Sequence, residues 1–272
     1  CRRKYSHSRR WGRVAQYPSE PKNAKAKRMT VFSYDLVKVE PTRIAVIVLQ
    51  SDETIERDMI ALRGEADLFF TRVPSGQSVT AETLQSMADH ITVSASLLPE
   101  TLDFNAVGYG CTSGTAQIGI GEIRRLVKAG VKSNEVSEPV SALIAACKHL
   151  KIKRLAFLSP YIESVSANLR NVLADNGVQS PTFGTFAEAV EAKVVRISGQ
   201  SVIEAAQKLC KLGEVDGIFL SCTNLRTLDL IEPLEASTDL PVISSNLALA
   251  WHLGRLTGKA DAMQGPGRLF AA

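Results

Sequence analysis

The sequence predicts an α/β fold of two pseudo-symmetric lobes, each a mostly parallel sheet flanked by helices, with an active site in the cleft between them. Three observations predict it. Short apolar, β-branched runs alternate with helical stretches, the pattern of parallel strands covered on both faces. The alternation repeats: Gln50, just past the first strand, precedes Cys111 by 61 residues, and Pro160, just past that strand's counterpart, precedes Cys222 by 62. The two cysteines also sit in matching local sequences, Gly110-Cys111-Thr112-Ser113 and Ser221-Cys222-Thr223-Asn224, each directly after an apolar run.

In chain order, Arg43 to Leu49 reads as a buried parallel strand, and a helix follows from Asp52 onward. Leu68 to Val73 is the next strand, Ala81 to Leu97 a helix, and Phe104 to Tyr109 the strand that delivers Cys111. Ser113 to Ala129 is helical, with Gly119 and Gly121 read as sites of close packing. The second half repeats the order, with a strand over Arg154 to Leu158, a helix over Ile162 to Asn176 ended by Gly177, and a strand over Lys193 to Ile197. A helix over Ser201 to Leu212 and a strand over Val215 to Leu220 lead to Cys222. Pro241 to Asn246 is a further strand and turn, and Ala248 to Leu256 a closing helix. The expected organisation is a disordered basic tail at 1–29, a first lobe at 43–140, a second at 141–257, and a C-terminal tail at 258–272.

The 272 residues and 45% hydrophobic content suit a globular protein, and the net charge of +4 is unevenly spread. Residues 1–29 hold ten Lys/Arg against Glu20 alone, which leaves 22 basic and 27 acidic residues for the rest. A body that acidic argues against a nucleic-acid partner. The tail lacks the apolar core of a secretory signal. Its Arg-rich composition loosely suits an organelle transit peptide, and a vector-derived or mis-assigned start before Met29 is the favoured reading. No stretch is long and apolar enough to span a membrane as a helix. Five cysteines without a CxxC pair argue against a disulfide framework and favour a reducing cytoplasm. Cys147 and Cys210 lie in apolar helical stretches and read as small buried hydrophobes.

Ligands of open α/β sheets bind beyond the carboxyl ends of the strands, where both cysteine loops fall. A cysteine between a strand's end and a helix's first turn meets unsatisfied amides, so a lowered pKa and more thiolate are expected there. The same amides, with the hydroxyls of Thr112, Ser113 and Thr223 and the amide of Asn224, suit a carboxylate. Two thiols on opposite sides of a bound acid can remove and return a proton next to its carboxylate, or one can add to an alkene while the other protonates. The four histidines show no metal spacing, and the glycines around Cys111 miss the dinucleotide pattern, so neither metal nor cofactor is expected.

The segments Gly-Tyr-Gly-Cys-Thr-Ser-Gly-Thr-Ala at 108–116 and Ser-Cys-Thr-Asn-Leu-Arg-Thr at 221–227 resemble the aspartate/glutamate racemase superfamily. The resemblance spans roughly residues 43 to 257 and is closest to the branch of maleate cis-trans isomerase, arylmalonate decarboxylase and the racemase-like proteins of ectoine utilisation. It implies that Cys111 and Cys222 are the catalytic thiols and that Thr112, Ser113, Tyr161, Thr223 and Asn224 hold substrate carboxylates.

Maleate isomerases of that branch place an asparagine where this chain has Asp52 and another near Glu191. A carboxylate at Asp52 repels a dianion and would instead grip an amino or amide group; its alternative role is to cap the following helix. Decarboxylases of the branch carry glycine at the first thiol position, so two cysteines favour isomerase or racemase chemistry, with a decarboxylase or lyase and a non-catalytic binding protein as alternatives. The likeness to ectoine-utilisation proteins implies a role in ectoine or related amino-acid breakdown. Arg226 has two readings, a distal carboxylate clamp or a solvated surface residue. The expected partner is a small carboxylate, and a homo-oligomer, a dimer first, is the expected assembly.

Overall fold

The structure is a computed structural model that describes residues 29–36 and 40–272. Residues 29–36 carry neither helix nor strand, and the basic stretch expected to be disordered lies, apart from Met29, outside the described residues. The sheets and helices belong to the unit Glu40–Ala272.

The first half runs β1 (Arg43–Leu49), α1 (Ile55–Ala61), β2 (Asp67–Val73), α2 (Ala81–Ser86), α3 (Ala88–Ser96), β3 (Phe104–Gly110), α4 (Thr112–Ile118), α5 (Ile120–Gly130) and β4 (Ser133–Ser137). The second runs α6 (Pro139–His149), β5 (Arg154–Ser159), α7 (Glu163–Asp175), β6 (Gln179–Thr185), α8 (Glu191–Val194), α9 (Gly199–Cys210), β7 (Gly217–Leu220), a 3-10 turn (Leu228–Leu230), α10 (Ile231–Thr238), β8 (Val242–Ser244), α11 (Ser245–Leu256) and α12 (Arg268–Ala271).

Each half forms a four-stranded parallel sheet, ordered β2-β1-β3-β4 and β6-β5-β7-β8. The expected two-lobe α/β fold is therefore present, and the identical orders are the structural form of the repeat. In each sheet the chain steps outward to one side after its first strand and to the other after its third, so a crevice opens between the carboxyl ends of that pair. Those ends carry Asp52 and Cys111 in the first lobe, Tyr161 and Cys222 in the second.

The central strands are buried because helices cover both faces; Ile44 to Leu49 and Leu155 to Ser159 are buried without a break. Phe157 is fully buried in β5, edge-on to Phe219 at 5.2 Å between ring centroids. Phe157→Ala should cost about 3–5 kcal/mol, read as a lower urea midpoint at unchanged slope.

Several expected boundaries move. The stretch Lys193 to Ile197 is not a strand: Glu191, Val194 and Val195 are buried while Ala192, Lys193 and Arg196 are exposed, the i, i+3, i+4 spacing of a helix face. The strand beside β5 is instead β6, an edge strand with Pro181 and a half-exposed pattern, which lacks the apolar run that marks a central strand. The polar edge strand β4 was not expected for the same reason. The helix expected over 113–129 breaks at Gly119, whose φ of +99° most side chains avoid; it is the backbone that needs this glycine, since open space lies where a Cβ would sit. The helix expected over 81–97 is two, and the one expected from Asp52 begins at Ile55.

The C-terminal segment 258–272 is not a loose tail. Amides of Gly64 and Ala66 donate to the carbonyl of Ala262, Gln264 N–H donates to Leu62, and Leu269 of α12 is buried. The lobe boundary is also less clean than a cut at 140/141, because α11, from the second half, packs on β3 and β4 of the first.

Candidate active site

Cys111 directly follows β3 and is the N-cap of α4, and its Sγ accepts the Gly114 amide at 3.1 Å. Gly114 is required there, since a Cβ would stand 2.8 Å from that sulfur. The expected lowering of the thiol pKa does not follow. Burial pushes Cys111 up to about 12; the Gly114 amide opposes this, and the charges of Glu191 and Asp52 add to it. Desolvation of a thiolate sealed from water outweighs one amide.

Cys222 follows β7 with φ +111°, a left-handed conformation that a non-glycine residue holds only against strain of about 1–3 kcal/mol. Its own amide donates to Ser245 Oγ at 3.0 Å, and its sulfur accepts the Asn224 amide at 3.3 Å. Burial, then the Glu191 charge, holds this thiol well above its ordinary range.

Tyr161 Oη lies 2.6 Å from Glu191 Oε1 and 2.9 Å from Cys222 Sγ. The hydroxyl has one proton. Donating it to the carboxylate leaves the tyrosine oxygen to accept from the thiol, which favours a protonated Cys222. Asn224 Nδ2 donates to Glu191 Oε2 at 2.6 Å, and Asn224 Oδ1 accepts the Glu53 amide at 2.9 Å.

The two cysteine loops meet. Thr112 Oγ1 donates to Ser245 Oγ at 2.8 Å, so Ser245 joins both loops, and Thr223 Oγ1 donates to the Gly110 carbonyl at 3.3 Å. Asn246 fixes the second loop from behind, donating to the Thr223 carbonyl and to Asp58, each at 2.8 Å.

Cys111, Thr112, Ser113, Tyr161, Cys222 and Thr223 line one cavity, together with Glu191 and the apolar side chains of Leu49, Val79 and Leu84. Only about 20 Å³ is open to a water-sized molecule. Val79 and Glu191 of this lining also join the two lobes, Val79 N–H donating to Ala189 and Glu191 N–H to Gln77. Any ligand larger than a water molecule requires these segments to part.

Two expected ligand-binding residues stand behind the wall. Asn224 has its amide engaged with Glu191 and Glu53. Asp52 Oδ1 accepts the amides of Thr54 and Ile55 at 2.7 and 2.8 Å, organising the entrance to α1 from two residues ahead of its N-cap, Thr54. Asp52 Oδ2 is buried without a partner, and burial raises this carboxyl's pKa. Arg226 is exposed and lines a separate surface groove, which fits its solvated reading. Among the described residues no group of His, Cys, Asp and Glu could hold a metal ion, and no helix is long and apolar enough to cross a membrane.

The family model for arylmalonate decarboxylase matches residues 127–270, more than half of the chain and including the second thiol loop. The chain belongs to the arylmalonate decarboxylase family. Its relatives include a maleate isomerase of Nocardia farcinica, 27% identical over 84% of this chain and 95% of that protein. An arylmalonate decarboxylase of Bordetella bronchiseptica is 30% identical over 48% of this chain and 55% of that protein. Among solved structures, a cysteine-to-serine mutant of the Nocardia farcinica maleate cis-trans isomerase, holding a covalently bound succinylcysteine intermediate, superposes with a TM-score of 0.73 at 25% identity, over 84% of this chain and 98% of that one. The resemblance read from the cysteine motifs and the two-lobe fold both hold, and isomerases and a decarboxylase stand among the relatives.

In this member of the arylmalonate decarboxylase family, sequence reasoning missed Ser245 as a site residue and reached Glu191 only through the resemblance, without giving it a role. The buried helical face at Glu191, Val194 and Val195 was the available signal for the latter, obscured by the β-branched run that looks like a strand. Ser245 carried none, because only the approach of the two loops gives it a role.

Proposed function

We propose that the chain is a cofactor-independent isomerase or racemase of a small carboxylic or amino acid, with Cys111 and Cys222 as acid and base, or as nucleophile and acid. The observation that carries this is the convergence of both thiols on one sealed cavity lined by hydroxyls. Thr112, Ser113 and Thr223 would hold the substrate carboxylate, the two threonines by turning their hydroxyls from Ser245 and the Gly110 carbonyl, and a proton removed beside it would add charge that these donors stabilise. Tyr161 would keep Cys222 in its thiol form, so Cys111 would attack or abstract and Cys222 would protonate. The succinylcysteine of the Nocardia relative supports a nucleophilic cysteine in this fold.

Decarboxylation is the second reading, supported by the family model. A role in ectoine or related amino-acid breakdown, a cytoplasmic location and a symmetric dimer remain with the sequence reading. The test is to incubate small carboxylic and amino acids with the protein in deuterated water. Label at the carbon beside the carboxylate, or cis-trans conversion, is expected; carbon dioxide release would identify a decarboxylase, and neither would leave a binding protein.

A further inference from the structure

Two-thiol chemistry needs no carboxylate in the cavity wall, yet Glu191 lines it at 3% exposure. Both of its oxygens accept hydrogen bonds, from Tyr161 and Asn224, an arrangement that suits the ionised form. Asp52 is nearly as buried, at 4%, and its Oδ2 has no partner. Burial raises the pKa of Glu191, the hydrogen bonds from Tyr161 and Asn224 oppose this, and the charge on nearby Asp52 adds to the rise; both carboxyls act on the two sulfurs.

No Lys, Arg or His lines the cavity. The cation that acts on Asp52, Arg72, is turned to the carbonyls of Leu49, Gln50 and Asp52 and to Glu56. Buried carboxylates without a counter-ion are unfavourable by several kcal/mol. A dicarboxylate substrate would make that worse: two like charges about 4 Å apart repel by about 4 kcal/mol at an effective dielectric of 20. A cationic nitrogen at the same distance reverses the sign.

We propose that Glu191, backed by Asp52, sets the substrate class: the acid taken by this site carries a cationic nitrogen as well as its carboxylate. The carboxylate goes to the Ser113 hydroxyl, joined by those of Thr112 and Thr223 once they turn from Ser245 and the Gly110 carbonyl, and the nitrogen goes to Glu191. This rests on the two-thiol reading for its chemistry, but the charge match concerns binding and is separately measurable.

The test is calorimetric binding of three four-carbon probes to the full chain: 2-aminobutyrate, 4-aminobutyrate and succinate. At least one aminobutyrate is expected to bind about tenfold or more tightly than succinate. Glu191→Gln is expected to abolish that preference, and Asp52→Asn to narrow it. Succinate binding as well as both aminobutyrates, binding of none of the three, or a preference that survives Glu191→Gln would overturn the assignment. Deuterium exchange on the same probes reads the chemistry independently. Selective aminobutyrate binding without exchange removes the isomerase reading and leaves the charge assignment standing; exchange on succinate and on neither aminobutyrate does the reverse.

Discussion

Serine at Cys111 or at Cys222 is expected to lower turnover by about 10³-fold or more, each alone nearly as much as both together. The change keeps shape and hydrogen-bonding capacity but replaces a thiol with a hydroxyl that neither ionises nor attacks near neutral pH. Both sulfurs line one cavity, and in the proposed mechanism they act on one substrate, so their losses should be strongly non-additive. Cys147→Ala and Cys210→Ser are the controls: Cys147 is buried in α6 and Cys210 half-buried at the end of α9, and neither lines the cavity. Steady-state kinetics on the four variants checks this, and equal tolerance at all four positions would remove the two-thiol mechanism. The pH profile carries the same idea. With Cys111 pushed up to about 12 by burial, the thiolate fraction grows throughout the accessible range, so kcat/KM should keep climbing from about pH 6 to about pH 9 without a plateau.

Asn224→Ala should damage both fold and turnover, although this side chain does not line the cavity. It removes the 2.6 Å donor to the buried Glu191 carboxylate and the acceptor of the Glu53 amide. Hydrogen bonds to buried charged groups contribute about 1.5–3 kcal/mol, and the abandoned carboxylate keeps its desolvation penalty. A loss of about 2–4 kcal/mol is expected by urea unfolding. A Glu191 freed to shift would also release Tyr161 and through it Cys222, so kcat should fall by about tenfold or more in the molecules that remain folded. Asn224→Asp should be worse on both counts, because it sets a second negative charge against Glu191. Unchanged stability in both variants would mean that Glu191 is held by other groups.

Much of the fold was legible because its central strands are buried on both faces and must be apolar over their whole length. Arg43–Leu49 is found as read, and β3, β5 and β7 shift only by a residue or two at their ends. The edge strands β4 and β6 were missed because solvent on their flanks permits Ser, Asn, Glu and Pro. The run Lys193 to Ile197 misled for the complementary reason: valines packed on a single helical turn have the same composition as valines packed in a sheet. At the site, Cys111, Thr112, Ser113, Tyr161, Cys222 and Thr223 line one cavity, while Asn224 and Asp52 stand behind it.

The sequence by itself determined that two apolar strands end in matching cysteine loops, because strand burial and loop chemistry are written within a few consecutive residues. Only the tertiary structure decided that both thiols are buried so that their pKa values rise instead of falling, that Cys222 sits in a left-handed conformation, and that Glu191 joins the cavity lining. Those properties come from segments far apart in the chain meeting across the two lobes. The electric field and water content at a sulfur depend on everything packed around it, and its own neighbours in sequence supply only a small part of that.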